Sequence, residues 1–391
     1  MSDAGASGGR PARVVIAPDS FKGSCPADLA AQALADGWLS GRPRDEVALR
    51  PLADGGEGTL DVMAASTQGS RIVDVGAVRG PLGAPTPGRY LALADGTVVV
   101  ELAVASGLHL AASSGPADPA DPADPLRAST FGTGQIIKEA LRRGATRLVL
   151  AVGGSATTDG GSGLLQALGL RLVDAAGRDV PDGGAGLLQL HRADADGLIA
   201  PPLGGVEVLV DVVNPLLGPR GAAAVFAPQK GADADAVATL ERGLARWAEL
   251  SGGDPQTPGA GAAGGTAYGV ATWWGAHLVP GADHVAELVG LGAAVARSDV
   301  VITGEGRFDA TSLGGKVVGA VLRRAVAAGA RVHVVCGRAD ADVRVPGGAA
   351  VPQVLALADL AGSAQAAMAD PQRWLRAAGV RLAEAHGTQQ R

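Results

Sequence analysis

Three apolar runs in this chain read as strands that end in glycine-rich turns carrying acids, cations and hydroxyls. Residues 14–17 (VVIA) lead into Pro18-Asp19-Ser20-Phe21-Lys22-Gly23. Residues 148–152 (LVLAV) lead into Gly153-Gly154-Ser155-Ala156-Thr157-Thr158-Asp159-Gly160-Gly161. Residues 300–303 (VVIT) lead into Gly304-Glu305-Gly306-Arg307-Phe308-Asp309, with Gly314-Gly315-Lys316 close behind. Phosphoryl transfer needs that mixture: cations neutralise phosphate charge, while carboxylates hold a metal or orient the attacking hydroxyl. In open α/β sheets ligands bind beyond the carboxyl ends of the strands. Glycine there lets backbone N–H groups approach an anion closely. The pattern points to an enzyme that handles a phosphorylated ligand and a divalent metal.

Asp54-Gly55-Gly56-Glu57-Gly58 offers two carboxylates in a flexible turn. These are hard oxygens of the kind Mg²⁺ accepts alongside substrate phosphates. Asp54, Glu57 and Asp309 are the metal candidates. Gly153, Gly154, Ser155, Ala156, Thr157 and Asp159 offer stacked backbone donors and hydroxyls ahead of a helix beginning near Gly163, a phosphate site by helix-terminus logic. Gly304, Glu305 and Gly306 join them as candidate ligand-binding positions, and Asp211, with Asn214, ends a further strand that could serve the same site. Of 33 basic residues only Lys22, Lys138, Lys230 and Lys316 are lysines; three sit in glycine-containing loops and Lys138 in a helix. Where arginine is the default cation, a loop lysine points to a need for a compact point charge. The catalytic candidates are Lys22, Asp54, Asp211, Arg307, Asp309 and Lys316; for each lysine the plain alternative is a solvated loop charge.

The elements that must carry these residues alternate strand and helix, which gives an α/β class. Residues 26–39 have helical character, with Ala30, Ala33, Leu34 and Trp38 on one face. Residues 90–94 and 97–102 flank Asp95-Gly96, a hairpin signal that makes part of the protein antiparallel. Residues 206–212 read as a strand, and from about 295 onward the pattern is again strand, helix, strand. Residues 115–125 repeat Pro-Ala-Asp and read as an exposed loop. Two familiar phosphate motifs fail. The G-x-G-x-x-G at 259–264 has no strand before it, which disfavours a nicotinamide-dependent oxidoreductase. Lys316 is followed by Val317 rather than a hydroxyl residue, which removes a Walker A reading.

With 391 residues, 47% of them hydrophobic, the chain has room for two domains and a sizeable core, built mostly of Ala, Val and Leu because aromatics reach only 3%. A net charge of −6 argues against a general nucleic-acid or anionic-membrane surface, so local cations must capture any anionic substrate. Two cysteines, Cys25 and Cys336, are too few for a disulfide framework, which fits a reducing cytoplasm. Residues 1–13 lack a signal-peptide pattern and read as a disordered leader, and no apolar run is long enough to span a membrane.

Taken in order, the segments resemble the bacterial glycerate kinases of the glycerate 2-kinase type. The resemblance rests on 17–24 (APDSFKGS), 53–59 (ADGGEGT), 101–108 (ELAVASGL), Gly132-Thr133-Gly134, 153–161, 211–216 (DVVNPL), 226–232 (FAPQKGA), 258–265 and 303–309, nearly the whole span from 14 to 337. Thr311-Ser312 stands where the family usually has Gln-Thr, Thr158 replaces a frequent asparagine, and the expected proline soon after Lys316 is absent. The resemblance implies ATP-dependent phosphorylation of D-glycerate, to 2-phosphoglycerate or 3-phosphoglycerate, with Mg²⁺. It also implies a Rossmann-like parallel-sheet domain formed by both chain ends, 14–65 plus 290–391, with a second α/β domain of mixed or antiparallel strands inserted at 66–289. Lys22 and Arg307 are the expected partners of the glycerate carboxylate. An oligomer is compatible with the reading. The rival from another class is a non-catalytic metabolite sensor on the same fold, disfavoured by the density of acids and lysines in the loops.

Overall fold

Parallel strands buried on both faces read as continuous apolar runs, and the runs at the two ends of this chain find each other. In the computed structural model, residues 10–56, 58–112, 124–313, 316–340 and 353–389 are described. The strands are, in chain order, β1 (Arg13–Pro18), β2 (Glu46–Leu49), β3 (Arg71–Arg79), β4 (Pro85–Ala92), β5 (Thr97–Glu101), β6 (Arg147–Ala151), β7 (Arg171–Val173), β8 (Arg192–Asp194), β9 (Val206–Leu209), β10 (His277–Val279), β11 (Val300–Phe308), β12 (Arg331–Ala339) and β13 (Gln353–Ala356). Contacts divide the chain into two compact units, Met1–Asp54 with Ala282–Arg391, and Gly55–Gly281. The class is α/β, as expected.

In the unit built from the chain ends the strand order is β13-β12-β11-β1-β2, all parallel. β1 lies between β2 and β11, with Val14 opposite Val300 and Ile16 opposite Ile302. The first helix, Ala27–Gly41, is rich in alanine, the best helix former. It buries Ala30, Ala33, Leu34 and Trp38, the face expected from the spacing. Its partner is the last helix, Pro371–Gln389. The two approach to backbone contact: a Cβ on Gly37 would lie 2.0 Å from the Arg376 carbonyl oxygen, and one on Gly379 would lie 2.3 Å from that of Leu34. Asp45 fastens the base of this layer. Its Oδ2 accepts hydrogen bonds from Trp38 Nε1 (3.0 Å) and Arg42 Nε (2.5 Å), and its Oδ1 accepts one from the Ala12 N–H (2.9 Å).

The inserted unit has a six-stranded mixed sheet, β10-β9-β6-β5-β4-β3, parallel from β10 to β5 and antiparallel from β5 to β3. The hairpin forms at Asp95-Gly96, where Gly96 has φ +87° and Asp95 Oδ1 accepts the Thr97 N–H at 2.9 Å. β7 and β8 make a separate two-stranded ribbon. The core of this unit is mostly aliphatic, with Trp247, Tyr268 and Trp274 among its buried side chains.

Two expectations shift. The boundaries fall at 54/55 and 281/282 rather than 65/66 and 289/290. The helix Thr59–Ser66 packs on β3, β4 and β5, and Asp283 pairs with Arg323 and Arg324. The leader expected over 1–13 lies outside the described residues at 1–9. At 10–13 it is replaced by ordered chain, with Arg10 paired to Asp299 and β1 beginning at Arg13. Of the Pro-Ala-Asp loop expected at 115–125, residues 115–123 lie outside the described residues. Among the described residues no helix is long and apolar enough to cross a membrane.

The backbone crossing of the first and last helices is directly testable. Gly379→Ala is expected to destabilise the protein by about 2–3 kcal/mol, the scale of an overpacked interior, read as an earlier transition in thermal or urea unfolding. An unchanged transition would show that the helices separate without cost.

Candidate active site

In the end-built sheet the chain runs outward from β1 in two directions, to β2 on one side and to β11 on the other. Such a switch point leaves a crevice at the carboxyl ends of the two central strands. The Asp19 N–H donates to the Gly304 carbonyl at 2.8 Å, so β1 and β11 stay joined to the rim before the chain turns away. The turn is closed by reciprocal Phe21–Cys25 backbone bonds of 2.8 and 3.0 Å, has Gly23 at φ +76°, and is pinned by the buried Phe21 ring. This presents Ser20, Lys22 and Ser24 to the crevice. After β2 the chain keeps bonding to β1, with the Arg50 N–H to the Ile16 carbonyl and the Leu52 N–H to the Pro18 carbonyl, and this carries Asp54 to the same rim.

The third segment differs from its sequence reading. Gly304-Glu305-Gly306-Arg307-Phe308 is not a turn but the end of β11, still paired with β12 through Glu305 opposite Cys336 and Arg307 opposite Arg338. Gly304 is there for packing: a Cβ would lie 2.0 Å from the Val335 carbonyl oxygen. Successive strand residues face opposite sides, so Glu305 and Arg307 share one face, and both line the crevice. Asp309 then starts the 3₁₀ turn Ala310–Leu313. Its Oδ1 accepts from the Thr311 N–H (2.8 Å) and Thr311 Oγ1 (2.6 Å), while Lys316 Nζ donates to Thr311 Oγ1 at 2.9 Å. The departure from the family pattern at Thr311 therefore ties Asp309 to Lys316.

The result is a cavity of about 390 Å³ whose lining includes Asp19, Lys22, Asp54, Glu305, Arg307, Asp309, Lys316 and Arg338. Its acids differ in state. Asp19, 8% exposed, is pushed from its ordinary 3.8 up to about 7, chiefly by burial and then by the charge of Asp54, against the Ser20 N–H and Lys22. Burial also raises Glu305, against a hydrogen bond from Ser312 and the charge of Lys316. Glu305 Oε1 is buried without a hydrogen-bond partner among the described residues. The Thr311 hydroxyl holds Asp309 below its ordinary value. Arg307 is exposed and paired with Asp340 at 2.8 Å, with Asp309 at 3.8 Å. Asp19 is the cavity residue that the spacing argument passed over; the available signal was an acid set directly after a buried apolar strand.

The remaining candidates belong to the inserted unit. Gly153 packs tightly, with its N–H bonded to the Gly55 carbonyl at 2.9 Å; Gly154 is exposed, and Ala156 and Thr157 are buried. Asp159, expected among the ligand-binding positions, is turned into the fold. It is wholly buried, and its oxygens accept from the Thr130 N–H and Oγ1 (both 2.8 Å), the Gly161 N–H (3.1 Å) and the Gly163 N–H (3.3 Å). Two N–H groups at the start of the following helix, those of Gly161 and Gly163, are thus met from within the protein. Lys230, singled out by composition alone, is 4% exposed and donates to Ser155 Oγ (2.9 Å) and the Thr157 carbonyl (2.6 Å). Burial pulls it down to about 7, opposed by Asp159. Asp211 is exposed beyond β9, and its Oδ1 accepts the Gly281 N–H at 3.1 Å. Glu57 lies outside the described residues. No three His, Cys, Asp or Glu side chains among the described residues are grouped to hold a metal.

The sequence profile of the glycerate kinase family matches residues 14–386. The chain belongs to the glycerate kinase family. It is 43% identical over 312 residues to the glycerate kinase of Bacillus subtilis (strain 168), covering 78% of this chain and 79% of that one. It is 39% identical over 313 residues to the glycerate 2-kinase of Escherichia coli (strain K12), covering 78% and 80%. A crystal structure of a protein described as glycerate kinase 2 from Salmonella typhimurium LT2 is similar throughout, with a TM-score of 0.81 and 36% identity over 97% of this chain and 100% of that one. As a member of this family the protein is a kinase, so the cavity at the switch point belongs to a phosphotransferase.

The state of Asp19 has a consequence for stability. Its folded value of about 7 lies above its ordinary 3.8, so between those values the folded protein keeps a proton that the unfolded chain releases. Stability from this group therefore falls as pH rises across that window, and the cost is complete above it. In chelator, Asp19→Asn is expected to be more stable than the parent at about pH 8, by on the order of 2 kcal/mol, and no more stable at about pH 4. Paired thermal melts at the two pH values measure this; a variant that melts lower at the higher pH contradicts it.

Proposed function

We propose that the protein transfers the γ-phosphoryl group of ATP to the O2 hydroxyl of D-glycerate, giving 2-phosphoglycerate and ADP. The observation that carries this is the single cavity in which Lys22 and Lys316 stand with Asp19, Asp54, Glu305 and Asp309 at the carboxyl ends of β1 and β11. The relatives from Bacillus subtilis and Escherichia coli are named glycerate kinase and glycerate 2-kinase, and the second name favours O2 over O3.

Lys22 and Lys316 supply charge that can follow electron density from donor to acceptor, a task suited to a compact ammonium. Lys22 also faces the glycerate carboxylate, a role that Arg307 shares less readily because Asp340 holds it. Asp19 accepts the proton of the attacking hydroxyl as the new O–P bond forms and the bond to the ADP oxygen breaks. Among the described residues its carboxylate accepts one bond, from the Ser20 N–H at 2.6 Å, which leaves lone pairs for a substrate. The residues fit Mg²⁺: acids crowded enough to raise Asp19 are the hard oxygens such a cation prefers, and it needs only one or two of them besides phosphate and water. Asp54 and Asp309 would hold it, with Glu57 as the sequence expects. When bound, the metal neutralises phosphate charge. In the inserted unit, Gly153, Gly154 and Ser155 keep a proposed phosphate-contacting role through backbone N–H groups and a hydroxyl. The free, buried thiols of Cys25 and Cys336 support a cytoplasmic setting.

ADP release coupled to glycerate, with phosphorus NMR of the product, tests this reading. Expected are glycerate-dependent turnover lost in chelator and restored by Mg²⁺, and a 2-phosphoglycerate signal. Turnover of a different hydroxy compound with none of glycerate would end the substrate assignment; a 3-phosphoglycerate signal would move the acceptor to O3. Lys22→Met and Lys316→Met are each expected to lower kcat by roughly a hundredfold or more, the scale of losing one preorganised charge-stabilising donor. Their melting should match the parent, since solvent-facing cations add little to folding.

A further inference from the structure

The cavity has a second chemical character that glycerate cannot use. Beyond its charged rim it is lined by Leu357, Ala364, Ala367, Met368 and Pro371, contributed by the chain that follows β13. These side chains carry no hydrogen-bonding group. Ala367 and Leu357 are buried in the layer beneath, but Met368 is 56% exposed at the cavity lip. The short helix that holds it, Ala364–Ala369, is fixed by Ser363, whose Oγ accepts the Ala366 N–H at 3.1 Å. Met368 is therefore presented by an ordered turn. A thioether on a flexible stem adapts to a flat ring and makes favourable sulfur–aromatic contacts.

Glycerate bears two hydroxyls and a carboxylate on three carbons and has no apolar face to lay against such a wall. The phosphoryl donor does. Its phosphates match Lys22, Lys316 and Arg338, and the remaining apolar surface sits in the same cavity, whose volume of about 390 Å³ falls in the range of sites that bury small ligands. We propose that the wall formed by Leu357, Ala364 and Met368 seats the nucleobase of the phosphoryl donor. This rests on the kinase reading above and adds to it where the nucleoside lies. The chain between β13 and the last helix is then a binding element, not only a connection.

Calorimetric titration with ADP and, separately, with inorganic tripolyphosphate distinguishes base from phosphate. Met368→Ser removes apolar surface without adding charge, and Ala364→Tyr fills the wall from an exposed position. Each is expected to weaken ADP binding about tenfold, the scale of losing one buried apolar side chain, while tripolyphosphate binding changes less than about twofold. KM for ATP should rise in parallel with KM for glycerate nearly constant. Equal losses for ADP and tripolyphosphate would overturn the proposal, as would unchanged ADP binding in both variants or no ADP binding by the parent. Parent protein that binds ADP through this wall but does not phosphorylate glycerate would retire the substrate reading and leave the nucleobase seat standing.

Discussion

The pairing of β1 with β11 is the constraint on which the rest of the end-built unit depends. It joins residues far apart in the chain, and it does so with more than backbone bonds: Thr303 Oγ1, buried, donates to the Ala17 carbonyl at 2.8 Å, across a separation of 286 residues. Val14, Ile16, Val300 and Ile302 are buried in one core cluster with Trp38, Leu375 and Leu382. Closing so long a loop costs little more entropy than closing a moderate one, because the penalty grows only logarithmically with length. The register then sets the chemistry. With Pro18 opposite Gly304, Asp19 leaves β1 beside Glu305, which β12 still holds in the sheet, and the lysines that follow each strand reach one cavity.

At two positions beside this site glycine brings backbones together. Gly304 lets β11 lie against Val335, and Gly337 does the same opposite the Gly306 carbonyl, where a Cβ would come within 2.4 Å. The strands can therefore stay paired past the point where the side chains turn functional. A rigid strand end positions Glu305 and Arg307 better than the loop their sequence evokes, since hydrogen-bonded elements hold side chains more tightly than turns do.

Much of this was legible in the sequence. The apolar runs at 14–17 and 300–303, the helix face from Ala30 to Trp38 and the Asp95-Gly96 hairpin carry local signals that the tertiary structure reinforces. The charged rim was legible because acids and scarce lysines follow strands. What stayed hidden depends on partners distant in sequence. The extension of β11 to Phe308 needs β12 beside it. The apolar wall with Met368 shows no periodic pattern of its own, and it becomes a wall only when placed beside Lys22 and Asp54. Lys230 looks like a loop cation until Ser155 and Thr157 are found around its ammonium.

Three buried aspartates in this protein separate acids enclosed by the fold from one that faces a cavity. Asp45 accepts from Trp38, Arg42 and the Ala12 N–H, and stays below its ordinary value despite burial. Asp159 is more deeply buried and carries four bonds from Thr130, Gly161 and Gly163, which oppose the rise that burial imposes. Both are consumed by the fold, as buried polar groups usually are. Asp19 has one internal donor, two acidic neighbours and a cavity in front of it. Burial with a single internal donor is a cost that packing alone would remove, for instance by a second N–H or a neutral side chain. Its persistence at a strand end, beside two lysines, is what a site held ready for a substrate's own donors requires.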